Sequence, residues 1–377
     1  MNAISALRIA ILSWRDLDHP EAGGAEVFAE RTAATMVERG HEVTLFTSAF
    51  PGGKSKESRA GFSIVRAGGR FGVYPRGLIH LWRNRRRYDV VLDVQNGVPF
   101  WSPLVFRGTI LAVVHHVHRE QWFTFFPRPI STVGWFLESK ISPLVYRKHQ
   151  YVTVSEASRR ELAGVGVDPA NVAVVYSGNE APERVLAEEP ITERGNRIAC
   201  LGRLVPHKRV ELAIDAVAVL AAEFSDLKLD VIGGGDWMDN LVEYAIAKGV
   251  ADRVQFHGHV EDEVKHDLLA KAAVLAMPSI KEGWGLTILE AGYHAVPSVA
   301  FRYAGGTQES IQDGHTGLLV DDDEQFIAGI KGLLADPEQR AKLGQAARDF
   351  ALRFDWTRTG NELTDLIEQV GPRQLTS

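Results

Sequence analysis

Short apolar runs of strand length alternate with glycine-bearing turns and helix-length segments along this chain, and the series occurs twice. In the first series Leu7–Leu12 leads into a loop from Ser13 to Gly24, then a helix expected over Ala25 to Glu38 and a strand over His41 to Thr47. The runs Val90–Val94, Thr109–Val114, Tyr151–Val154 and Val172–Val175 extend it. A polar, proline-containing stretch over 181–196 interrupts the pattern. It restarts with Ile198–Leu201, Lys228–Ile232, Val254–Gly258, Ala272–Met277, Pro297–Ala300 and Gly317–Val320, with helical segments between them. Uninterrupted apolar runs joined by helices read as parallel strands covered on both faces. The expected fold class is therefore α/β, with two Rossmann-like, doubly wound domains. They are placed at 1–180 and 197–353, joined by the 181–196 linker and followed by a helical segment at 354–377; a length of 377 residues suits two domains.

Composition removes several classes of function. One cysteine, Cys200, leaves no internal disulfide and no thiolate cluster for a metal, which suits a reducing compartment. No window approaches the roughly 18 uninterrupted apolar residues of a spanning helix. The N-terminal run reads as a strand rather than a signal peptide, so the expectation is a cytoplasmic chain. Charge is uneven: the first 150 residues carry 20 Lys and Arg against 12 Asp and Glu, and the remainder 22 against 36. A basic first half suits an anionic acceptor or an anionic membrane surface. The acidic second half argues against nucleic acid as a partner.

Four loops of the second half carry the chemistry. In 281–291, Gly283 and Gly285 precede a helix expected from Leu286, whose unpaired N–H groups and positive dipole end suit a phosphate. Glu282 and Glu290 flank that place, and a carboxylate there is repelled by phosphate, so each is expected to meet neutral hydroxyls of a sugar or ribose. Gly202-Arg203 with Lys208 supplies two cations, Arg as a fork and Lys as a point charge. Gly233 to Gly235 make a tight turn against a ligand, and backbone at His259 and Val260 can pair with a base edge. Alone, each is commonly an ordinary turn between strand and helix. Four in order within one domain read as a site. The dinucleotide fingerprint G-x-G-x-x-G is absent, so no nicotinamide or flavin cofactor is indicated.

These elements resemble the retaining glycosyltransferases of GT-B fold in family 4, glycosyl transferases group 1. The signature is two glutamates separated by seven residues, as Glu282 and Glu290 are. Gly202-Arg203-Leu204…Lys208 matches the family's cationic element, although Arg209 stands where glycine usually follows. Gly233–Gly235, Phe256–Val260, Pro278-Ser279, Gly305-Gly306-Thr307 and, in the first half, Gly23-Gly24-Ala25-Glu26 and Val152–Ser155 also match. Ser177-Gly178-Asn179 departs from the family's Asn-Gly.

The resemblance implies two domains facing across a cleft, with the last helix crossing back to the first. Arg203 and Lys208 would hold a donor diphosphate, aided by backbone at Gly23 and Gly24 and at Trp284, Gly285, Leu286 and Thr287. Glu290 would hold the ribose, His259 and Val260 the base, and Glu282 the donor sugar. No metal or other cofactor is implied; Asp321-Asp-Asp323 reads as a solvated loop. The donor expected is a UDP-sugar, with GDP-mannose as an alternative. A hydrolase acid/base pair is a poor reading of Glu282 and Glu290, since both flank the presumed phosphates.

The acceptor side is expected at Val113–Phe123. The resemblance places a histidine near the sugar's anomeric centre, with His116 first, then His115 and His118; Trp122 follows in an aromatic stretch. These aromatics, with the basic run Arg83 to Arg87, suit an anionic membrane and lipid-linked acceptor, a loop over a glycan or small-molecule acceptor, or core packing. Two other functions stay open: nucleotide-sugar epimerisation with hydrolysis, and non-catalytic nucleotide-sugar binding.

Overall fold

The computed structural model describes residues 6–180 and 194–371, so most of the expected linker at 181–196 lies outside the described residues. The chain divides into two units, Met1–Gly178 with Trp356–Ser377, and Asn179–Asp355.

The first unit is built on strands β1 (Arg8–Leu12), β2 (Glu42–Thr47), β3 (Lys56–Arg59), β4 (Phe62–Arg66), β5 (Val90–Gln95), β6 (Thr109–Val114), β7 (Gln150–Thr153) and β8 (Val172–Val174). They lie in the order β3-β4-β2-β1-β5-β6-β7-β8. All neighbours are parallel except β3 and β4, which pair antiparallel. The order reverses direction between β1 and β5, so the loops after those strands flank the switch point at the carboxyl edge. The sequence pattern did not indicate the β3–β4 hairpin. Lys56-Glu-Ser-Arg59 has no apolar run, and its turn takes left-handed conformations at Ala60 (φ 46°) and Gly61 (φ 83°), as a tight hairpin requires.

Helix Gly24–Glu38 lies against helix Trp356–Val370 within this unit. Arg39 pairs with Asp365 and Glu368 at 2.6 and 2.7 Å, and Glu368 also meets His41 Nε2 at 3.1 Å. Gly360 permits the approach, since a Cβ there would stand 2.2 Å from Thr35 Oγ1.

The second unit has strands β9 (Arg197–Leu201), β10 (Lys228–Ile232), β11 (Val254–Gly258), β12 (Val274–Met277), β13 (Ser298–Phe301) and β14 (Gly317–Val320), in the order β11-β10-β9-β12-β13-β14 and all parallel. Its core joins Ile198, Leu229, Val231, Val274 and Val299 to helix residues Ile214, Val217 and Ile330. Here the switch point falls between β9 and β12. Asn179, expected in the first domain, and Phe354 and Asp355, expected in the C-terminal segment, lie in this unit. Asn179 N–H donates to Phe354 O (3.1 Å), and Tyr293 Oη donates to the same carbonyl (3.1 Å).

Candidate functional site

In the second unit, parallel pairing puts the ends of β9, β10, β11, β12 and β13 at one edge, so the four loops singled out in the sequence converge there. Helix Leu286–Tyr293 begins at Gly285, whose φ of 93° favours glycine. The preceding turn is tied down: Glu282 N–H donates to Ala304 O (2.8 Å), and Gly306 N–H donates to Glu282 O (3.0 Å). Backbone at 284–287 therefore sits in a rigid frame at a helix start, where N–H groups concentrate positive potential. Thr287 Oγ1 is buried there with no partner among the described residues.

Lys208 ends a short helical turn, Pro206–Lys208, that is pinned to the other side of the switch point by Ile280 N–H donating to His207 O (2.9 Å). Its Nζ lies 2.5 Å from Glu282 Oε1, and both side chains are mostly buried. The two groups given separate roles in the sequence are thus one ion pair, poised between β9 and β12. Arg203 is exposed at the same edge. Arg209 adopts the left-handed conformation (φ 50°), which explains why glycine suits the position after the lysine. Asp323 holds its guanidinium at 2.6 Å, and the Phe301 ring lies 5.4 Å beneath it.

Gly233 and Gly235 were expected to admit a ligand; the structure uses them first to admit backbone. A Cβ on Gly233 would stand 2.1 Å from Gly202 O, and one on Gly235 2.2 Å from Leu204 O. They lock the 202–204 loop beside the 233–236 turn, with Leu204 N–H donating to Gly234 O (2.8 Å). His259 is exposed and Val260 half-buried just beyond β11.

Glu290 reaches Lys265 Nζ at 2.8 Å, and Lys265 also contacts Asp262 at 2.8 Å. Burial works against the Lys265 ammonium, but Glu290 and Asp262 outweigh it and hold its pKa above the ordinary lysine value. Nothing in the sequence pattern links Lys265 to this site. It lies on another helix, Asp262–Lys271, with no motif spacing to Glu290.

In the first unit, Gly23 caps helix Gly24–Glu38. Glu26 Oε2 accepts from Gly23 N–H (2.7 Å), and Arg15 Nε donates to Glu26 Oε1 (3.3 Å). The histidine turn follows β6. His115 points into the core, 5.1 Å edge-on from Phe28, with both ring nitrogens buried and without a hydrogen-bond partner among the described residues. Burial lowers its pKa to about 4. That removes it as a group facing an acceptor and leaves His116 and His118, whose rings lie 4.2 Å apart.

The residue missed in this turn is Glu138. Its Oε1 accepts from His118 N–H (2.9 Å) and lies 3.0 Å from His118 Nδ1, while Oε2 accepts from Trp122 Nε1 (2.6 Å). A carboxylate only accepts, so His118 Nδ1 carries the proton. Glu138 sits on a widened helical turn, Leu137–Ile141, closed by Ser142 N–H donating to Leu137 O five residues back. Trp122 is therefore a fixed wedge, with Gly97 and Gly134 so close that a Cβ on either would stand 2.9 or 2.4 Å from its ring. Among the described residues no group of three or more His, Cys, Asp or Glu side chains could hold a metal ion, and no helix is long and apolar enough to cross a membrane.

Along its length the chain is similar to known glycosyltransferases. Residues 183–350 match the family model for glycosyl transferases group 1, and residues 22–181 that for glycosyltransferase family 4. A GDP-mannose-dependent alpha-(1-6)-phosphatidylinositol monomannoside mannosyltransferase of Mycolicibacterium smegmatis is 36% identical over 45% of this chain and 47% of its own length. The chain thus spans about half of that relative. The D-inositol 3-phosphate glycosyltransferase of Corynebacterium glutamicum is 26% identical over 96% of each chain. Sucrose-phosphate synthase from Thermosynechococcus elongatus superimposes with a TM-score of 0.79 at 20% identity, over 97% of this chain and 99% of that one. That likeness fixes the fold as GT-B.

Proposed function

This chain belongs to the group 1 glycosyltransferases of family 4, and we propose that it moves a hexose or N-acetylhexosamine from a nucleotide sugar with retention and without a divalent metal. The observation that carries the reading is the Lys208–Glu282 pair at the switch point, beside the N-terminus of helix Leu286–Tyr293. Diphosphate oxygens at that helix start take Lys208 and Arg203 as counter-charges, which is the work a metal does in other phosphate chemistry. Glu282, released from full engagement with Lys208, then accepts from a donor-sugar hydroxyl. Glu290 accepts from the ribose, and backbone at His259 and Val260 meets the base. The acceptor oxygen bonds to the anomeric carbon on the face from which the diphosphate leaves, and the hydroxyl proton ends on the departing phosphate. A UDP-sugar is the first donor class to test; GDP-mannose, named in the mycobacterial relative, is the second.

For the acceptor, His116 and the Glu138-held His118 are assigned to the sugar-facing surface of the first unit. On the same unit Ile130, Val133 and Phe136 are more than half exposed beside exposed Arg128 and Lys140. Exposed apolar side chains next to cations suit the headgroup region of an anionic leaflet, so a lipid-linked acceptor at a cytoplasmic membrane face is proposed.

One preparation tests both parts. In EDTA, with vesicles of phosphatidylglycerol and phosphatidylcholine, the protein should co-sediment at low salt and be released at high salt. Proton NMR of the sugar slowly lost from the donor to water should show the α-anomer first, unepimerised. A β-anomer would overturn retention, an epimer would point to an epimerising hydrolase, and salt-insensitive or absent sedimentation would overturn the membrane assignment.

A further inference from the structure

We infer that Lys265 is the positioning residue for Glu290, and that it sets the discrimination of this chain for ribose over deoxyribose in its nucleotide. The inference rests on the donor reading above. Glu290 lies in the helix whose first turn receives the diphosphate, so an isolated carboxylate there would repel the ligand it must help to bind. Lys265 removes that conflict. Its Nζ sits 2.8 Å from Glu290 Oε1, with the two side chains only 18% and 16% exposed, so solvent screens the pair little.

The geometry also divides the carboxylate. Oε1 is engaged by Lys265, while Oε2 takes no hydrogen bond or ion pair among the described residues and is not one of the buried, unpartnered atoms. A carboxylate anchored through one oxygen offers the other in a fixed direction, and a ribose hydroxyl is a donor that can use it. The anchor is itself anchored: Asp262, one turn earlier on the helix, holds Lys265 Nζ at 2.8 Å from the solvent side. Helix Asp262–Lys271 and helix Leu286–Tyr293 are thereby coupled through one ammonium group.

A lysine that merely stabilised the fold would affect all nucleotides alike. A lysine that aims Glu290 costs the ribo form more than the deoxy form, beyond the diphosphate repulsion that both share. Calorimetry with UDP, GDP and their 2′- and 3′-deoxy counterparts separates the two roles. Wild type should bind the better ribonucleotide about 10- to 100-fold more tightly than at least one of its deoxy counterparts, the range for a hydrogen bond to a charged group. Lys265→Met should shrink that ratio to about 2-fold, weakening the ribonucleotide about 5- to 50-fold more than its deoxy counterpart. Lys265→Arg should restore it. A Lys265→Met protein that keeps the wild-type ratio, or that loses ribo and deoxy affinity equally, overturns the inference alone. Failure of UDP and GDP to bind wild type would overturn the donor reading and this inference together.

Discussion

Glu282→Gln should lower the rate of sugar transfer by about 100- to 1,000-fold while the protein still folds and still binds nucleoside diphosphate. The substitution keeps shape and removes charge. Gln offers Lys208 a neutral oxygen, so the 2.5 Å ion pair becomes an ordinary hydrogen bond and the donor sugar loses its charged acceptor. Lys208→Met should cost a similar factor, but with weaker diphosphate binding, because the point charge is what meets the phosphate. Since the two side chains form one unit, the double variant should be scarcely worse than the poorer single one. Initial rates and nucleotide titrations of the three variants check this. Additive losses would show that Glu282 and Lys208 act separately, and near-wild-type rates would remove both from the chemistry.

The second large effect is acid lability. His294 is buried and takes up a proton only at about pH 3, chiefly because burial disfavours the charged ring, with His266, Arg194, Arg348 and Lys265 adding to this. Its Nε2 lies 2.8 Å from His266 Nδ1. His115 follows, at about 4, again through burial. Both values fall below the unfolded value of about 6.5, so the unfolded chain takes up protons first. Stability should be level above neutrality, fall as pH drops below about 6.5, and go on falling until the folded histidines themselves titrate near 4 and 3. At pH 5 each histidine accounts for about 2 kcal/mol. Urea midpoints at pH 8 and pH 5 should therefore differ strongly in wild type and by less in His115→Leu, with the remainder carried by His294 and by His19, His80 and His266, whose pKa burial also lowers. Equal midpoints at the two pH values in wild type would show that these rings are protonated in the fold without penalty.

Much of the architecture was legible because its signals are local. Apolar runs closed by glycine and followed by helix starts mark parallel strands wherever they occur, and the loops after β9 to β13 inherit a common edge from that topology. Lys56–Arg59 escaped because a polar edge strand on a hairpin leaves no periodic trace. In the site, Glu282, Glu290 and Lys208 stand at recognisable spacings. Their partners do not: Lys265 meets Glu290 from a neighbouring helix, and Glu138 reaches His118 and Trp122 from a widened helical turn inside an aromatic stretch. Which histidine of the 115–118 turn faces inward was equally closed to the sequence, because Phe28, which receives His115, arrives from helix Gly24–Glu38.

The most direct test is a calorimetric titration of UDP-glucose, UDP-N-acetylglucosamine and GDP-mannose into wild type and Glu290→Ala, each with EDTA present throughout. One donor should bind wild type in EDTA with one site per chain, and the variant should bind it at least about 10-fold more weakly. Binding that needs added magnesium, or that Glu290→Ala leaves untouched, would contradict a metal-independent donor site built on the Lys208, Glu282 and Glu290 edge.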